Sequence, residues 1–545
     1  MIVSVLAVAY ITFFCYLTGR SLFTRNANGN IIDCFTGLAV HGILFTALSL
    51  LIPVGTIFAQ VIFIGISGGL YLWRRPSLKP DFGNLQKHPL ALTCFLVAFF
   101  LLLLLHSAPV THPDTLIYHA QNIRWAAEYR AIPGIANLQY HFGLQSNMFI
   151  VSALFSFRFT GTAAISFANL AICTWLLLFI FRQLDLSNTG QHSGVRNNLS
   201  WFMLLVFTFW TFTQIRLSVT SGSPDFAASI YCWLCLFLFV HPEPGESDKS
   251  AQLVRILLLL CFTIGIKFST LPVLLLLPFV LYRTPRHGIG KWILCLVLAI
   301  LLLAPVITRN IIASGYPLFP SGWVALPVDW KVEKTTVLQN EKYIKAYARA
   351  GVEAEPASID LVAGQSLVEW VPYWWSRQSL ADKTLLLCLL ILAPVAIILS
   401  VRRRRKDLQI ILLISLAGTL FWLNFAPDPR FGYGFLIPVA AVGLDFLFRR
   451  FPVKWIPKIN YLLLSILLIS LLGYSGSRLM NYFTLRQLLF PRGVMQSSFH
   501  EVKCSGLPFV QVGSGYCDDL PLPCIRDCND IIPRGATITD GFRAK

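Results

Sequence analysis

The chain has 545 residues, of which 56% are hydrophobic and only 13% charged, about half the charged fraction of a soluble domain. Apolar runs of about 16 to 22 residues recur from end to end, each long enough to cross or nearly cross a bilayer, which excludes a soluble enzyme. The formal net charge of +18 does not point to a nucleic-acid binder, because its basic residues are grouped in short loops between apolar runs.

Membrane helices are expected near residues 1–19, 31–52, 54–73 and 89–108. More follow near 162–182, 200–214, 225–241, 252–267, 269–283, 291–307, 384–400, 408–425, 432–448 and 459–475. The first run lacks a basic start and leads into further helices, so it reads as a span and not as a cleaved signal. The basic groups Arg74-Arg75-Lys79-Lys87, Arg283-Arg286-Lys291, Arg402 to Lys406 and Arg449-Arg450-Lys454-Lys458 mark cytoplasmic loops and contacts with anionic membrane lipids. Placing the Arg74 loop inside puts the first long polar loop, Thr111 to Gly143, outside. The apolar segment 144–157 is short for a span and reads as a surface or re-entrant helix; if it does not cross, the later basic groups also fall inside. Residues 252–283 read as two short helices hinged near Lys267 and Pro272. Loops 109–161 and 308–383 and the tail then share the outer face.

That first loop opens with His112, Asp114, Tyr118 and His119. On a short helix Asp114 and Tyr118, four residues apart, share a face. A carboxylate at the membrane boundary can accept a proton from a hydroxyl nucleophile or hold a divalent cation, or simply cap a helix. Asp225, in SGSPDFAAS, is a second acid at the same level, with a helix-start role as its alternative. Lys267 in IGIKFSTLP, Arg309 in RNIIASGYPLFP and Arg430 in APDPRFGYG stand at outer helix ends, where positive charge is not needed for topology. There they suit a phosphate or pyrophosphate, or snorkel to headgroups. Trp370, Trp374 and Trp375 suit the membrane interface or stacking on sugar rings. Ionisable groups at mid-membrane are few: Asp33 and Asp445 lie near helix ends and His41 is alone, which argues against ion-coupled transport. No nucleotide-binding loop is present, so a donor substrate would be lipid-borne.

Nine of the 13 cysteines sit in or beside apolar helices as small hydrophobes. Cys504, Cys517, Cys524 and Cys528 cluster in the polar tail, where they read as two disulfides in any of three connectivities and so require an oxidising compartment. A zinc site is the rival reading. Pro533-Arg534-Gly535 and Gly541-Phe542-Arg543 read as turns.

HPDTLIYH with AIPG, then PDFAAS, GIKFSTLP and RNIIASGYPLFP, over roughly residues 89–480, resemble the GT-C superfamily of glycosyltransferases. More narrowly, the chain is similar to bacterial polytopic membrane proteins that share RN-x-x-x-SG-x-P-x-x-P and APDPRFGYG-like segments. The resemblance implies an all-α polytopic fold. About three N-terminal helices (1–88) would precede a core of about eleven (89–480), followed by an extracytoplasmic cysteine-bearing tail (481–545).

It further implies a sugar moved, with inversion, from a polyprenyl phosphate or pyrophosphate to an acceptor hydroxyl on a glycan, lipid or protein. The site would lie on the outer face of the bacterial cytoplasmic membrane. Asp114 takes the place of the first-loop catalytic acid and Asp225 that of the second. Tyr118, His119, Lys267, Arg309 and Arg430 would bind substrate. The first loop has one aspartate where the superfamily often has paired acids, so Mg2+ or Mn2+ on Asp114 and Asp225 stays optional. Two alternatives are a polysaccharide polymerase or ligase using Arg309, Arg349 and Arg377, and a non-enzymatic flippase or scaffold.

Overall fold

The computed structural model describes residues 1–23, 30–79, 88–161, 164–183, 218–241, 249–284, 288–351, 358–448, 452, 455–494, 497–513, 516–528 and 531–544. The expected helix at 200–214 lies outside the described residues, as do Lys87, Arg286, Arg449, Arg450 and Lys454.

Three helices, α1 (Ile2–Phe23), α2 (Ile31–Leu48) and α3 (Ile57–Arg74), precede α4 (Pro89–His106). Next come a π-turn at Thr115–His119, α5 (Ala120–Glu128), α6 (Asn147–Leu154), α7 (Phe167–Gln183), α8 (Pro224–Val240) and α9 (Lys249–Ile266). A 3-10 segment, Phe268–Leu276, leads into α10 (Leu277–Arg283), then α11 (Ile289–Ser314). The loop that follows carries α12 (Lys334–Ala350), α13 (Ile359–Gly364) and α14 (Leu367–Arg377). The last helices are α15 (Leu380–Arg402), α16 (Lys406–Phe425), α17 (Pro429–Phe448), α18 (Ile456–Tyr482) and the single turn α19 (Arg486–Leu489).

Among the described residues, ten helices are long and apolar enough to cross a membrane. Of the other four expected spans, 200–214 is outside the described residues and three fall on shorter apolar elements, of which the two 17-residue helices are at the lower limit for crossing. Helices α7 and α8 have 17 residues each, and the stretch after α9 is broken. Lys267 is extended (φ −156°, ψ 123°) and Pro272 sits inside the 3-10 segment, so the chain kinks where the sequence placed a hinge.

Of the two placements expected for segment 144–157, surface or re-entrant, burial argues against the surface one. Its helix, α6, is only eight residues long and every one is buried; at about 1.5 Å per residue it cannot span. It is mostly apolar and its two polar residues, Asn147 and Ser152, are buried as well, so it is taken up inside the protein, against α2 and α5. Ser146 caps it, accepting from Met148 N (3.1 Å), and donates to the Ile266 carbonyl (2.7 Å) at the end of α9.

Helices α1 and α2 pack closely because each contributes a glycine at the crossing. A Cβ on Gly19 would strike the Asp33 carbonyl, and one on Gly37 the Cys15 carbonyl. Asp33 closes a capping box with Asn30 and pairs with Arg255 of α9 at 3.1 Å, both side chains buried. His41 is not isolated: its Nε2 meets Thr18 Oγ1 (2.8 Å) and Ser67 Oγ (3.1 Å).

The tail forms a small β module. Strands β1 (Phe499–Cys504) and β2 (Leu507–Val512) make an antiparallel hairpin, and β3 (Cys524–Ile525) pairs in parallel with β2. The hairpin turns on Ser505 and Gly506, both at positive φ, as a two-residue turn between twisted strands requires. Strands β4 (Ile532–Pro533) and β5 (Phe542–Arg543) form a second antiparallel pair. Cys504 with Cys528, and Cys517 with Cys524, lie at disulfide distance, with Cα atoms 5.4 and 5.9 Å apart.

This module shares a hydrophobic cluster with the first loop, where Trp125, Ile132 and Phe142 pack with Phe509, Ile525 and Phe542. Gly134 and Gly541, at φ +68° and +90°, let the two backbones meet, and Phe542 N donates to the Pro133 carbonyl at 2.9 Å.

Substituting Gly37→Val should lower the unfolding temperature in detergent by overpacking the α1–α2 crossing, a cost of about 1–3 kcal/mol. Gly473→Val, where a new Cβ meets nothing, should leave it unchanged; equal effects would contradict the close crossing.

Candidate functional site

The polar ends of several helices and loops converge on one cavity of about 730 Å³. Asp114 reaches it from the entrance to the π-turn, Asp225 from the first turn of α8, Lys267 from the break after α9 and Arg430 from the first turn of α17. Tyr118 lines it as well, so the π-turn keeps residues 114 and 118 on the same side.

Charge organises the deep end. Arg430 Nη1 donates to Asp114 Oδ2 at 2.9 Å, and its Nε donates to Asp428 Oδ2 at 3.1 Å. The same Nε lies 3.9 Å from Asp225 Oδ2, and Asp225 is ion-paired in turn with Lys267 Nζ. The ammonium also sits over the Phe431 ring, 3.3 Å from its centroid. Neither acid is spent as a helix cap. Asp114 makes no side-chain cap bond, and the N-cap before α8 is Ser223. Placed in the first turn of α8, the Asp225 carboxylate also gains from the helix dipole.

Two indoles hold the turn that presents Arg430. Trp374 Nε1 donates to the Pro427 carbonyl (2.6 Å) and Trp422 Nε1 to the Asp428 carbonyl (2.7 Å). Arg430 N donates to Asp428 Oδ1 at 3.1 Å, closing the turn before α17. Trp370 and Trp374 are buried against Trp422 and Leu436. They belong to neither a lipid-facing belt nor the cavity lining, the two roles open to them in the sequence, because their rings fill the gap between α14 and the start of α17.

Electrostatics separates the titratable groups around the loop. Burial pushes the Asp114 carboxyl up. The charge of Arg430, with smaller contributions from the neighbouring histidines and Lys267, outweighs it and holds the group well below the usual carboxylate range. Burial, helped by His112, pushes His119 down to about 3, so it is neutral. Its Nδ1 lies 3.2 Å from Thr115 Oγ1. Burial raises the Tyr118 phenol well above its ordinary value, leaving a neutral O–H whose ring stacks on His141 with centroids 5.0 Å apart.

The structure thus brings Asp114, Tyr118, Asp225, Lys267 and Arg430 to one cavity and places two predicted residues elsewhere. His119 does not line the cavity; it is buried at the back of the π-turn, against Phe149. Arg309 is also buried outside it, donating to Gln145 Oε1 (2.7 Å) and Ser49 Oγ (2.8 Å). It ties α11 to the first loop and to the end of α2, a role that RNIIASGYP does not reveal. Arg349 donates to the Val362, Ala363 and Gln365 carbonyls at the end of α13. Arg377 lies over Tyr373, and neither arginine lines the cavity.

Sequence reasoning missed Asp428, although it stands two residues before Arg430 in the quoted APDPRFGYG. It also missed Tyr343 and Tyr347, which line the cavity from α12; their i,i+4 spacing in YIKAY was the available signal. The contribution of Tyr516 and Arg526 from the tail had no local signal. Among the described residues no group of three or more His, Cys, Asp or Glu side chains is spaced to hold a metal ion. The acids face cations instead, so the donor set does not fit the optional Mg2+ or Mn2+.

A family model described as "Domain of unknown function (DUF8201)" matches residues 1–437, a span that includes all four charged groups of the deep site and Asp428. The chain belongs to the DUF8201 family. No curated protein and no solved structure matches it. The β module lies beyond the matched DUF8201 region.

Because its folded value is depressed, Asp114 contributes stability above the ordinary carboxylate pKa of about 3.9, and this is lost as pH falls through the lower folded value. In Asp114→Asn the acid-side drop in unfolding temperature, measured below about pH 4, should therefore be smaller than in wild type. An identical acid limb in the two proteins would contradict the ion pair.

Proposed function

We propose that the protein is a membrane glycosyltransferase that moves a sugar from a polyprenyl phosphate or pyrophosphate to an acceptor hydroxyl, with inversion. One observation carries the reading: a carboxylate, Asp114, and two cations, Arg430 in contact with it and Lys267 held by Asp225, line a single cavity of about 730 Å³. Sugar transfer from a lipid phosphate needs that pairing. The leaving group is already a good one and requires charge neutralisation, while the incoming hydroxyl requires a proton acceptor.

The network also gives Asp114 a way to become a base. In the free protein Arg430 holds it ionised but weakly basic. An arriving phosphate competes for the Arg430 guanidinium, bidentately where geometry allows, and offsets its charge. The Asp114 carboxylate then regains basicity next to the acceptor. The acceptor proton passes to Asp114 as its oxygen bonds to the anomeric carbon. The anomeric C–O bond breaks on the opposite face, and its electron pair leaves with the lipid phosphate, whose charge Arg430 and Lys267 take up. Asp225 holds Lys267 in place, Asp428 holds Arg430, and the neutral Tyr118 hydroxyl orients substrate. No metal enters the scheme.

The same reading places the cavity on the outer face of a bacterial cytoplasmic membrane. Helices α3, α10 and α15 end in Arg74, Arg283 and Arg402, away from the helix ends that carry the cavity, as the positive-inside rule asks of cytoplasmic ends. The two cysteine pairs of the module call for an oxidising compartment. No observation favours the polymerase or ligase reading, since Arg349 and Arg377 serve α13 and α14.

Purified protein in lipid nanodiscs, supplied with a panel of undecaprenyl-phosphate sugars and acceptor glycans, is followed by mass spectrometry of the carrier. Wild type is expected to consume at least one donor. Asp114→Asn should be slower by about 10²–10⁴-fold, the usual range for a positioned general base, with its circular dichroism unchanged. EDTA should have no effect. Equal turnover by wild type and Asp114→Asn would refute the assignment.

A further inference from the structure

One wall of the cavity is built by the β module and not by helices. Tyr516, Cys524, Ile525, Arg526, Asp527 and Ile531 line the same space as Asp114 and Arg430. This wall is held from several directions. Gln121 Nε2 faces the carbonyls of Cys517, Asp518 and Leu520 at 3.4, 3.3 and 3.0 Å. Arg158 is ion-paired with Asp519, and Arg124 Nη1 donates to the Asp519 carbonyl at 2.6 Å. Pairing of β3 with β2 and the Cys517–Cys524 pair fix the strand that ends one residue before Arg526, and Gln511 Nε2 donates to the Arg526 carbonyl at 2.9 Å.

Arg526 differs from the other cations of the cavity. Lys267 and Arg430 are each engaged by aspartates. Arg526 is exposed, and none of the ion pairs found among the described residues involves it. Its guanidinium lies over the Tyr516 ring, 4.4 Å from the centroid, a cation–π contact that restrains the side chain without using up its N–H donors. A guanidinium restrained on the wall of a cavity, with no counter-ion among the described residues, is suited to the carboxylate or phosphate of a ligand.

We propose that Arg526 and Tyr516 form a second anion-binding point, which recognises an acidic group on the glycan acceptor: a uronate carboxylate or a sugar phosphate. The term acceptor rests on the transferase reading; the anion point itself does not. Tyr343 and Tyr347, on the α12 side of the cavity, offer ring faces to the sugars between this point and the deep end.

The test uses the full chain in nanodiscs and equilibrium binding by calorimetry, so it needs no turnover. The probes are a tetrasaccharide containing glucuronate, one containing a sugar phosphate, and a neutral one with glucose at the same position. Wild type is expected to bind one or both acidic probes about tenfold tighter than the neutral one, the order for one charge-assisted hydrogen bond at an exposed site. Whichever acidic probe wins identifies carboxylate or phosphate as the recognised group. Arg526→Gln should erase the preference and leave neutral binding unchanged, and Arg526→Lys should restore part of it. Equal or absent binding of acidic and neutral probes by wild type, or a preference that survives in Arg526→Gln, would overturn the proposal. Undecaprenyl phosphate, titrated separately, should bind wild type and Arg526→Gln alike and lose affinity in Arg430→Gln. If wild type fails to bind it while the acidic preference holds, the transferase reading falls and the anion point stands.

Discussion

The arrangement of the polar region depends on Arg430. One guanidinium lies against three carboxylates, those of Asp114, Asp428 and, at longer range, Asp225, in a place partly shielded from bulk water. Like charges brought this close in a low dielectric repel strongly unless a cation intervenes. Arg430 and Lys267 are therefore what allow the first loop, the start of α8 and the start of α17 to share one cavity. The chain secures that arginine by burying two indoles behind it, with Trp374 and Trp422 bonded to successive carbonyls of the preceding turn. Side chains that a sequence reader would send to the lipid or to a sugar are needed for the backbone instead.

The helices that serve the site are short or interrupted. The eight-residue α6, the 17-residue α8 and the break after α9 all stop at the level of the cavity. A helix end is where unpaired backbone groups and charged side chains can be gathered without breaking a continuous ladder. Several helix ends around the cavity are tied off locally. Ser146 takes up the Ile266 carbonyl, Arg309 fastens α11 to Ser49 and Gln145, and Arg349 closes α13. Cations that looked available for ligand are used to finish helices and fasten loops, and those left facing the cavity are fewer and better oriented.

The first polar loop is the hub. It carries Asp114 and Tyr118 on one side and supplies Gln121, Arg124, Arg158 and the AIPG turn to the β module on the other. Its Trp125 and Phe142 share a core with Phe509 and Phe542. The module is thus positioned by the same loop that positions the acid, and any ligand that enters between them meets both.

Much of this was legible in the residues. Apolar runs announced the helices, because burying about twenty consecutive apolar side chains leaves little choice but lipid or core. The oddly placed charges Asp114, Asp225, Lys267 and Arg430 announced a site, because an ionisable group at a helix end in a chain this apolar must find a partner. Segment 144–157 was correctly read as too short to span, yet not as buried, since length is local while burial depends on neighbours. Which charges meet was not legible: Arg309 and Arg430 look alike in sequence, and only the crossing of α11 past Ser49 and Gln145 separates them. Tyr343, Tyr347, Tyr516 and Arg526 entered the cavity by the same route. Asp114, with which they share the cavity, lies more than two hundred residues away along the chain, and proximity at that separation is decided by tertiary packing alone.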